Sequence, residues 1–147
     1  MFLPIDQSLQ ELGRERVEWI RSRMNLLAGV CSAFEESKPF AGRTIGVSFH
    51  IEPKTVVLLE TLAAGRARIV GASNYGWAQD DMVAMLRAQG VELDDVLRAR
   101  PDILLEIVTD LNAAAVRLGL ETVIRGATEE TTSGGDRLRR DYRGKVP

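Results

Sequence analysis

The sequence predicts an α/β domain built on a mostly parallel sheet. Three observations carry that expectation. From residue 43 onward, short β-branched or apolar runs alternate with segments of helical period. Helix-favouring residues, Pro53 and the pair Asp80-Asp81, stand in the first turns of two of those helical segments. The 147 residues and their ordinary balance of apolar and charged side chains suit one soluble domain with a sizeable core.

Each element has its own signal. Residues 8–36 form one long helical pattern, with Leu9, Leu12, Val17, Ile20, Met24, Leu27 and Phe34 near a helical period and Gly13 and Gly29 as points where it would bend. Lys38-Pro39 ends it, because proline disfavours helix in the residue before it. Residues 43–49 read as a strand and 53–64 as a helix whose first turn tolerates proline. Strand 67–70, loop 71–78 and helix 79–88 follow. Then comes a second helix, 92–99, with only Gln89-Gly90-Val91 between the two, so the βα rhythm breaks there. Strand 102–108, helix 110–118 and strand 121–124 restore it. A polar loop, 126–135, precedes a charged last dozen residues with a helix as one reading. Strand, helix, strand implies right-handed crossovers.

Composition excludes several function classes. The formal net charge is −2 with the signs mixed, which gives no basis for nucleic-acid or anionic-membrane binding. The basic run from Arg137 to Lys145 also holds Asp141 and reads as a solvated helix face. The one cysteine, Cys31, allows no internal disulfide and reads as buried packing beside Leu27, Val30 and Phe34. Metal binding is not expected, with one histidine, no cysteine pair and no carboxylates at a metal-loop spacing. No G-x-S-x-G, G-x-G-x-x-G or P-loop occurs. No stretch is long enough to span a membrane, and Met1 to Asp6 lacks the form of a secretion signal, so a cytoplasmic protein is expected.

In a parallel sheet, ligands bind beyond the carboxyl ends of the strands. Four segments reach that edge: 50–55, 71–81, 107–110 and 126–133. The first, His50-Ile51-Glu52-Pro53-Lys54-Thr55, holds the only histidine, the one side chain whose ordinary pKa lies near neutrality. The edge also presents Asn74, Gln79, Asp80, Thr109, Asp110, Glu129, Glu130, Thr131, Thr132 and Ser133. Carboxylates accept from sugar hydroxyls and amides pair with base edges, so this inventory suits a polar, hydroxyl-rich small molecule. Plainer roles stand beside that one: His50 as a structural residue, Glu52 as a helix cap, Lys54 as a solvated charge, and residues 129–132 as a solvated helix start.

Several of these segments together resemble the S-adenosylhomocysteine hydrolase (adenosylhomocysteinase) family. Gly42-Arg43-Thr44-Ile45-Gly46, then His50 to Thr55, then Leu58-Leu59-Glu60-Thr61-Leu62 resemble its adenine-binding junction. Glu18-Trp19 and Met24 resemble its first helix. Ser73-Asn74 and Gln79-Asp80-Asp81 resemble its S-N…S-T-Q-D-D loop, with Trp77-Ala78 in place of Ser-Thr. Pro101-Asp102-Ile103-Leu104-Leu105 resembles a family strand, and Gly126-Ala127-Thr128-Glu129-Glu130-Thr131-Thr132-Ser133-Gly134 its E-E-T-T signature. The resemblance covers roughly residues 13–147.

The resemblance implies a three-layer, Rossmann-like substrate domain with a long N-terminal helix, the whole of 1–147 forming that single domain. In the family, tightly bound NAD oxidises the ribose 3′-hydroxyl, thiol is eliminated, water adds, and the ketone is reduced again. Carried over, His50 matches the acid/base histidine beside the sulfur. Glu52, Lys54 and Thr55 match the adenine contacts, and Glu130 the ribose carboxylate. Thr131, Thr132 and Ser133 match residues that touch NAD, to be supplied here only with a partner protein. The resemblance thus implies His50, Glu52 and Glu130 as catalytic candidates. Substrate would be held by Glu52, Lys54, Thr55, Asn74, Gln79, Asp80, Glu130 and Thr131.

The departures set the expectation. The family strand runs on into a D-D-G-G-D-like stretch; here it reads Glu106-Ile107-Val108-Thr109-Asp110, so Ile107 stands at the catalytic aspartate. The chain stops at Gly144-Lys145-Val146-Pro147, where the family continues into a ribose lysine, a second aspartate and the NAD domain. What is expected is a stand-alone domain that binds an adenosyl thioether or sulfonium and acts, if as an enzyme, without NAD of its own. A non-catalytic binding module and one half of a split hydrolase are the alternatives. Faces left uncovered suggest a homo-oligomer. Trp77 and Tyr75, in place of smaller residues, are expected to fill or roof part of the cleft.

Overall fold

The computed structural model describes residues 7–146; the expectation about residues 1–6 lies outside them. Five parallel strands run in the order β3-β2-β1-β4-β5. They are β1 (Thr44–Ile51), β2 (Arg68–Ala78), β3 (Glu92–Leu93), β4 (Ile103–Glu106) and β5 (Gly126–Glu129). The helices are α1 (Gln7–Arg21), α2 (Asn25–Ser37), α3 (Pro53–Ala64), α4 (Asp80–Ala88), α5 (Asp110–Arg117) and α6 (Thr132–Asp141). The parallel α/β, Rossmann-like fold is thus present.

The sheet separates two cores by strand alternation. Ile45, Val47 and Ile51 of β1 join Ile69 and the helices α1, α3 and α4 in one buried cluster. Val70 and Leu104 face the other way and meet Val96, Leu97, Ala115 and Ile124. Successive side chains point to opposite faces of a strand, so odd and even positions feed different layers. Among the described residues no helix is long and apolar enough to cross a membrane.

The structure corrects several expectations. The single N-terminal helix is two helices, broken at residues 22–24. Neither Gly13 nor Gly29 makes the break. Gly13 is buried inside α1, where an added Cβ would lie 2.7 Å from the Asp81 carbonyl oxygen, so it permits the close approach of α1 to α4. Cys31 is only half-buried, because α2 buries none of its residues fully.

The expected helix 92–99 is a two-residue strand, β3, followed by a single 3-10 turn at Leu97–Ala99. The βα rhythm therefore continues, with β3 closing one sheet edge through pairs Val70–Glu92 and Gly71–Leu93. A two-residue pairing carries no periodicity for the sequence to reveal. The expected strand 121–124 pairs with no other strand: residues 121–123 form a turn, and the true edge strand, β5, lies within the segment read as a polar loop. Exposed Thr128 and half-buried Glu129 give that strand no apolar signature. The expected loop 71–78 continues β2.

Candidate functional site

Order β3-β2-β1-β4-β5 reverses direction between β1 and β4, and that is where an open parallel sheet forms its crevice. β1 delivers His50 to the edge, and α3 starts two residues later. Thr55 anchors this junction by donating its hydroxyl to the His50 carbonyl at 2.6 Å. Glu52 holds the N-cap position of α3, yet its side chain caps nothing; it faces Lys54 Nζ at 3.0 Å instead. Its role as a helix cap is therefore not borne out, and Lys54, though exposed, is paired.

A cleft of about 290 Å³ opens at the crevice. Its polar lining is His50, Glu52, Lys54, Thr55 and Glu130, five residues singled out from the sequence. Its apolar wall is Met24, Leu27, Phe49, Leu58 and Ile107. Met24 and Leu27 reach it because the chain breaks between α1 and α2. The helical spacing of both residues in the sequence does not distinguish a cleft wall from any other apolar face. Ile107 is 6% exposed and offers no proton acceptor at this wall. A few polar groups set in an apolar concavity is the usual make-up of a small-molecule site.

The other candidates fall elsewhere. Asn74 is buried and donates to the Ile107 carbonyl at 3.2 Å, with its Oδ1 unpartnered. Gln79 accepts from Arg16 Nη2 at 2.7 Å and lines a second cavity, with His50, Glu52 and Trp77. Asp80 is exposed in the first turn of α4 and lines neither cavity. Trp77 stands 5.8 Å from His50, ring to ring; the Tyr75 side chain lies outside what is described.

Thr131 is occupied with structure. It caps α6, accepting from the Gly134 N–H at 3.0 Å, and donates its hydroxyl to Glu129 at 2.5 Å. Thr132 and Ser133 are exposed in the first turn of α6. Two exposed hydroxyls and one committed one do not make a dinucleotide site, so these residues do not fit NAD on their own.

Two glutamates outside the catalytic and substrate-binding candidates organise the rim: Glu129, which the sequence placed at the ligand edge without a role, and Glu106. Glu129 accepts from Val108 N–H at 3.0 Å and Thr109 N–H at 2.7 Å. It also accepts from the Thr109 and Thr131 hydroxyls and the Thr131 N–H. Burial opposes its charge, but the Thr131 hydroxyl and N–H and then the Val108 and Thr109 donors outweigh that, holding the carboxyl below its ordinary range. An added Cβ on Gly134 would lie 2.2 Å from Glu129 Cδ, so the glycine makes room for the carboxylate. Val108 and Thr109 both have positive φ, 70° and 68°. That conformation aims two successive N–H groups at one anion, an arrangement known as a nest.

Glu106 is fully buried and accepts from the Leu111 and Asn112 N–H groups, at 2.5 and 2.9 Å, in the first turn of α5. Desolvation raises its pKa despite those bonds. Glu129 and Glu130 are sequence neighbours, but only Glu130 faces the cleft. The sequence signal for the first was an acid following a strand with donors nearby; nothing local said which acid turned inward.

A family model described as S-adenosyl-L-homocysteine hydrolase matches residues 2–97. The S-inosyl-L-homocysteine hydrolase of Methanopyrus kandleri is 35% identical over 94% of the chain and 37% of the relative. The adenosylhomocysteinase of Pyrococcus abyssi is 36% identical over 96% of the chain and 38% of the relative. That of Sulfolobus acidocaldarius is 34% identical over 91% and 36%. The chain spans a little over a third of the length of these curated relatives.

Proposed function

Because the chain belongs to the S-adenosyl-L-homocysteine hydrolase family, we propose that it binds a purine-nucleoside thioether or sulfonium in the cleft between β1 and β4. One observation carries the reading. Residues from three separate segments, 50–55, 107 and 130, converge on a single cleft at the sheet's reversal point.

The chemistry divides along the lining. Glu52, Lys54 and Thr55 offer acceptor and donor groups to a purine edge. Relatives named for S-inosyl and for adenosyl substrates differ at that edge, so the choice of base falls to these three residues. Glu130 offers a carboxylate to ribose hydroxyls. Phe49, Leu58 and Ile107 supply apolar contact to the ring faces. His50 stands at the end of β1 as the group able to exchange a proton near the sulfur.

With Ile107 where the resemblance places an aspartate, the ancestral proton transfer has no acceptor on that wall. Binding is therefore the function that the geometry supports best. Any turnover would run through His50, Glu52 and Glu130.

Calorimetry with adenosine, inosine, S-adenosylhomocysteine and S-adenosylmethionine tests this. Binding of at least one is expected, weakened by Glu130→Ala. If none binds, the reading is wrong. Product formed without NAD would make the protein an enzyme, and unchanged turnover in His50→Ala would remove His50 from the chemistry.

A second reading has its own observation. Thr132 and Ser133 are exposed at the start of α6, which suits half of a split hydrolase meeting a separate NAD-domain protein. Activity restored only when such a domain and NAD are added together would establish it.

A further inference from the structure

Ile107 forms part of the cleft wall, and the two residues that follow it are strained. Val108 and Thr109 are both β-branched and both left-handed, at φ 70° and 68°. Two such residues in succession persist only where their surroundings hold them. We infer that Arg137 of α6 is a positioning residue of the cleft. By holding the Val108 carbonyl, it fixes the peptide that sets the Ile107 wall. The inference rests on the reading of the cleft as a nucleoside site.

The backbone of this turn is bound group by group. The Ile107 N–H donates to the Ser48 carbonyl at 3.2 Å, and the Ile107 carbonyl accepts from Asn74 Nδ2 at 3.2 Å. The Val108 N–H donates to Glu129 Oε1 at 3.0 Å. The next peptide unit, between Val108 and Thr109, is held at both ends. Its N–H donates to Glu129 Oε2 at 2.7 Å, and its carbonyl accepts from Arg137 Nη1 at 3.0 Å. An anion thus faces the positive end of one peptide dipole, and a cation faces the negative end. Turning that peptide over would set carbonyl against carboxylate and N–H against guanidinium. The two charges therefore select the orientation that the left-handed pair requires.

The holders differ in where they stand. Ser48, Asn74 and Glu129 lie on β1, β2 and β5 and are fixed with the sheet. Arg137 lies on α6, where only Gly134 is buried. The same Nη1 also meets Asp110 Oδ1 at 3.0 Å, so one guanidinium spans both sides of Thr109. Its side chain is 32% exposed, and this partial shielding makes its bonds stronger than those of a surface pair. A second tie runs from the Thr109 hydroxyl to the Gly134 carbonyl at 2.8 Å, but it leaves the Val108 carbonyl free to turn. Without Arg137 that carbonyl loses its partner, the pair relaxes toward extended backbone, and Ile107 shifts with it.

Calorimetry of the whole chain with adenosine and with inosine tests this, at a temperature where circular dichroism shows each variant folded. Arg137→Met keeps the aliphatic stem and loses the donors. It should weaken the nucleoside that the wild type binds about tenfold, and Arg137→Lys should recover part of the loss. In an Ile107→Ala background, Arg137→Met should change the affinity by less than about twofold, because no wall remains to be displaced. Equal weakening in both backgrounds would mean a general loosening and overturn the assignment. Methyl NMR reads the wall without ligand. The Ile107 δ1-methyl resonance should shift in Arg137→Met and return toward its wild-type position in Arg137→Lys. If it stays in place while the wild type binds a nucleoside, Arg137 does not position Ile107 and the nucleoside reading stands. If the wild type binds neither nucleoside, both fall, whatever the methyl does.

Discussion

At the scale of single residues, the rim of the cleft is held by strain and charge. Val108 is β-branched and sits at φ 70°, a conformation that costs such a residue on the order of 1–3 kcal/mol. The Glu129 carboxylate, receiving both successive N–H groups, offsets that cost. Val108→Gly should therefore raise stability by about 1 kcal/mol in urea unfolding; a loss would show that Val108 packing outweighs its strain. Glu129→Gln should cost about 1–3 kcal/mol, because an amide nitrogen would face donors. The pH dependence follows from its lowered pKa. Glu129 stabilises the fold fully above its unfolded value of about 4.3, and that contribution is lost as pH falls through the lower folded value. Glu106 acts in the opposite sense. Its raised pKa means that its contribution is full below about pH 4.3 and is lost as pH rises through the folded value. Acid titration of stability should thus flatten in Glu129→Gln relative to the wild type. An unchanged acid limb would rule out Glu129 as the group responsible.

Among the elements, the contact of α1 with α4 fixes one side of the second cavity. Gly13 lets the helices approach, and Arg16, three residues on, reaches Asp81 and Gln79 together. Asp81 is 5% exposed and pairs with that guanidinium. Arg16 is partly exposed, and Arg16→Ala should cost about 1–2 kcal/mol, less than the loss of a fully buried pair. Gly13→Ala should cost a similar amount, because the Asp81 carbonyl is backbone and cannot swing aside. Chemical denaturation checks both, and a neutral result for either would mean that α1 shifts freely on α4. At the opposite sheet edge, Asp102 accepts from the Thr44 N–H at 2.9 Å and pairs with Arg43. These groups tie β4 to β1 far from the ligand edge. Three arginines of α6 are likewise engaged within the fold: Arg137 pairs with Asp110, Arg139 with Asp136 and Arg140 with Asp141. Arg139 and Arg140 lie exposed on α6, while Arg143 and Lys145 follow the helix.

For the molecule as a whole, ligand binding and stability are linked. A ligand that binds only the folded state at a hundred times its dissociation constant adds about 2.7 kcal/mol. For a chain of this length that corresponds to a melting shift of several degrees. Saturating S-adenosylhomocysteine should raise the melting temperature by that order, and Glu130→Ala should reduce the shift. No shift at saturation in the wild type would contradict the proposed cleft.

The sequence by itself determined the fold class, the start of α3, the His50 to Thr55 junction and the family. Those features are local: periodicity, a proline at a helix start and ordered motifs survive reading one residue after another. Only the tertiary structure decided that Glu130 faces the cleft while Glu129 turns inward, that Gly13 seats α1 rather than bending it, and that β3 and β5 exist at all. It also decided that the bulge in β2 sets Trp77 beside His50. Each of these depends on distant partners: a nest at Val108 and Thr109, a carbonyl on α4, two residues of ladder pairing, a register set against β1. Such partners leave no periodic trace in the chain, because the free energy that selects them exists only once the layers have closed.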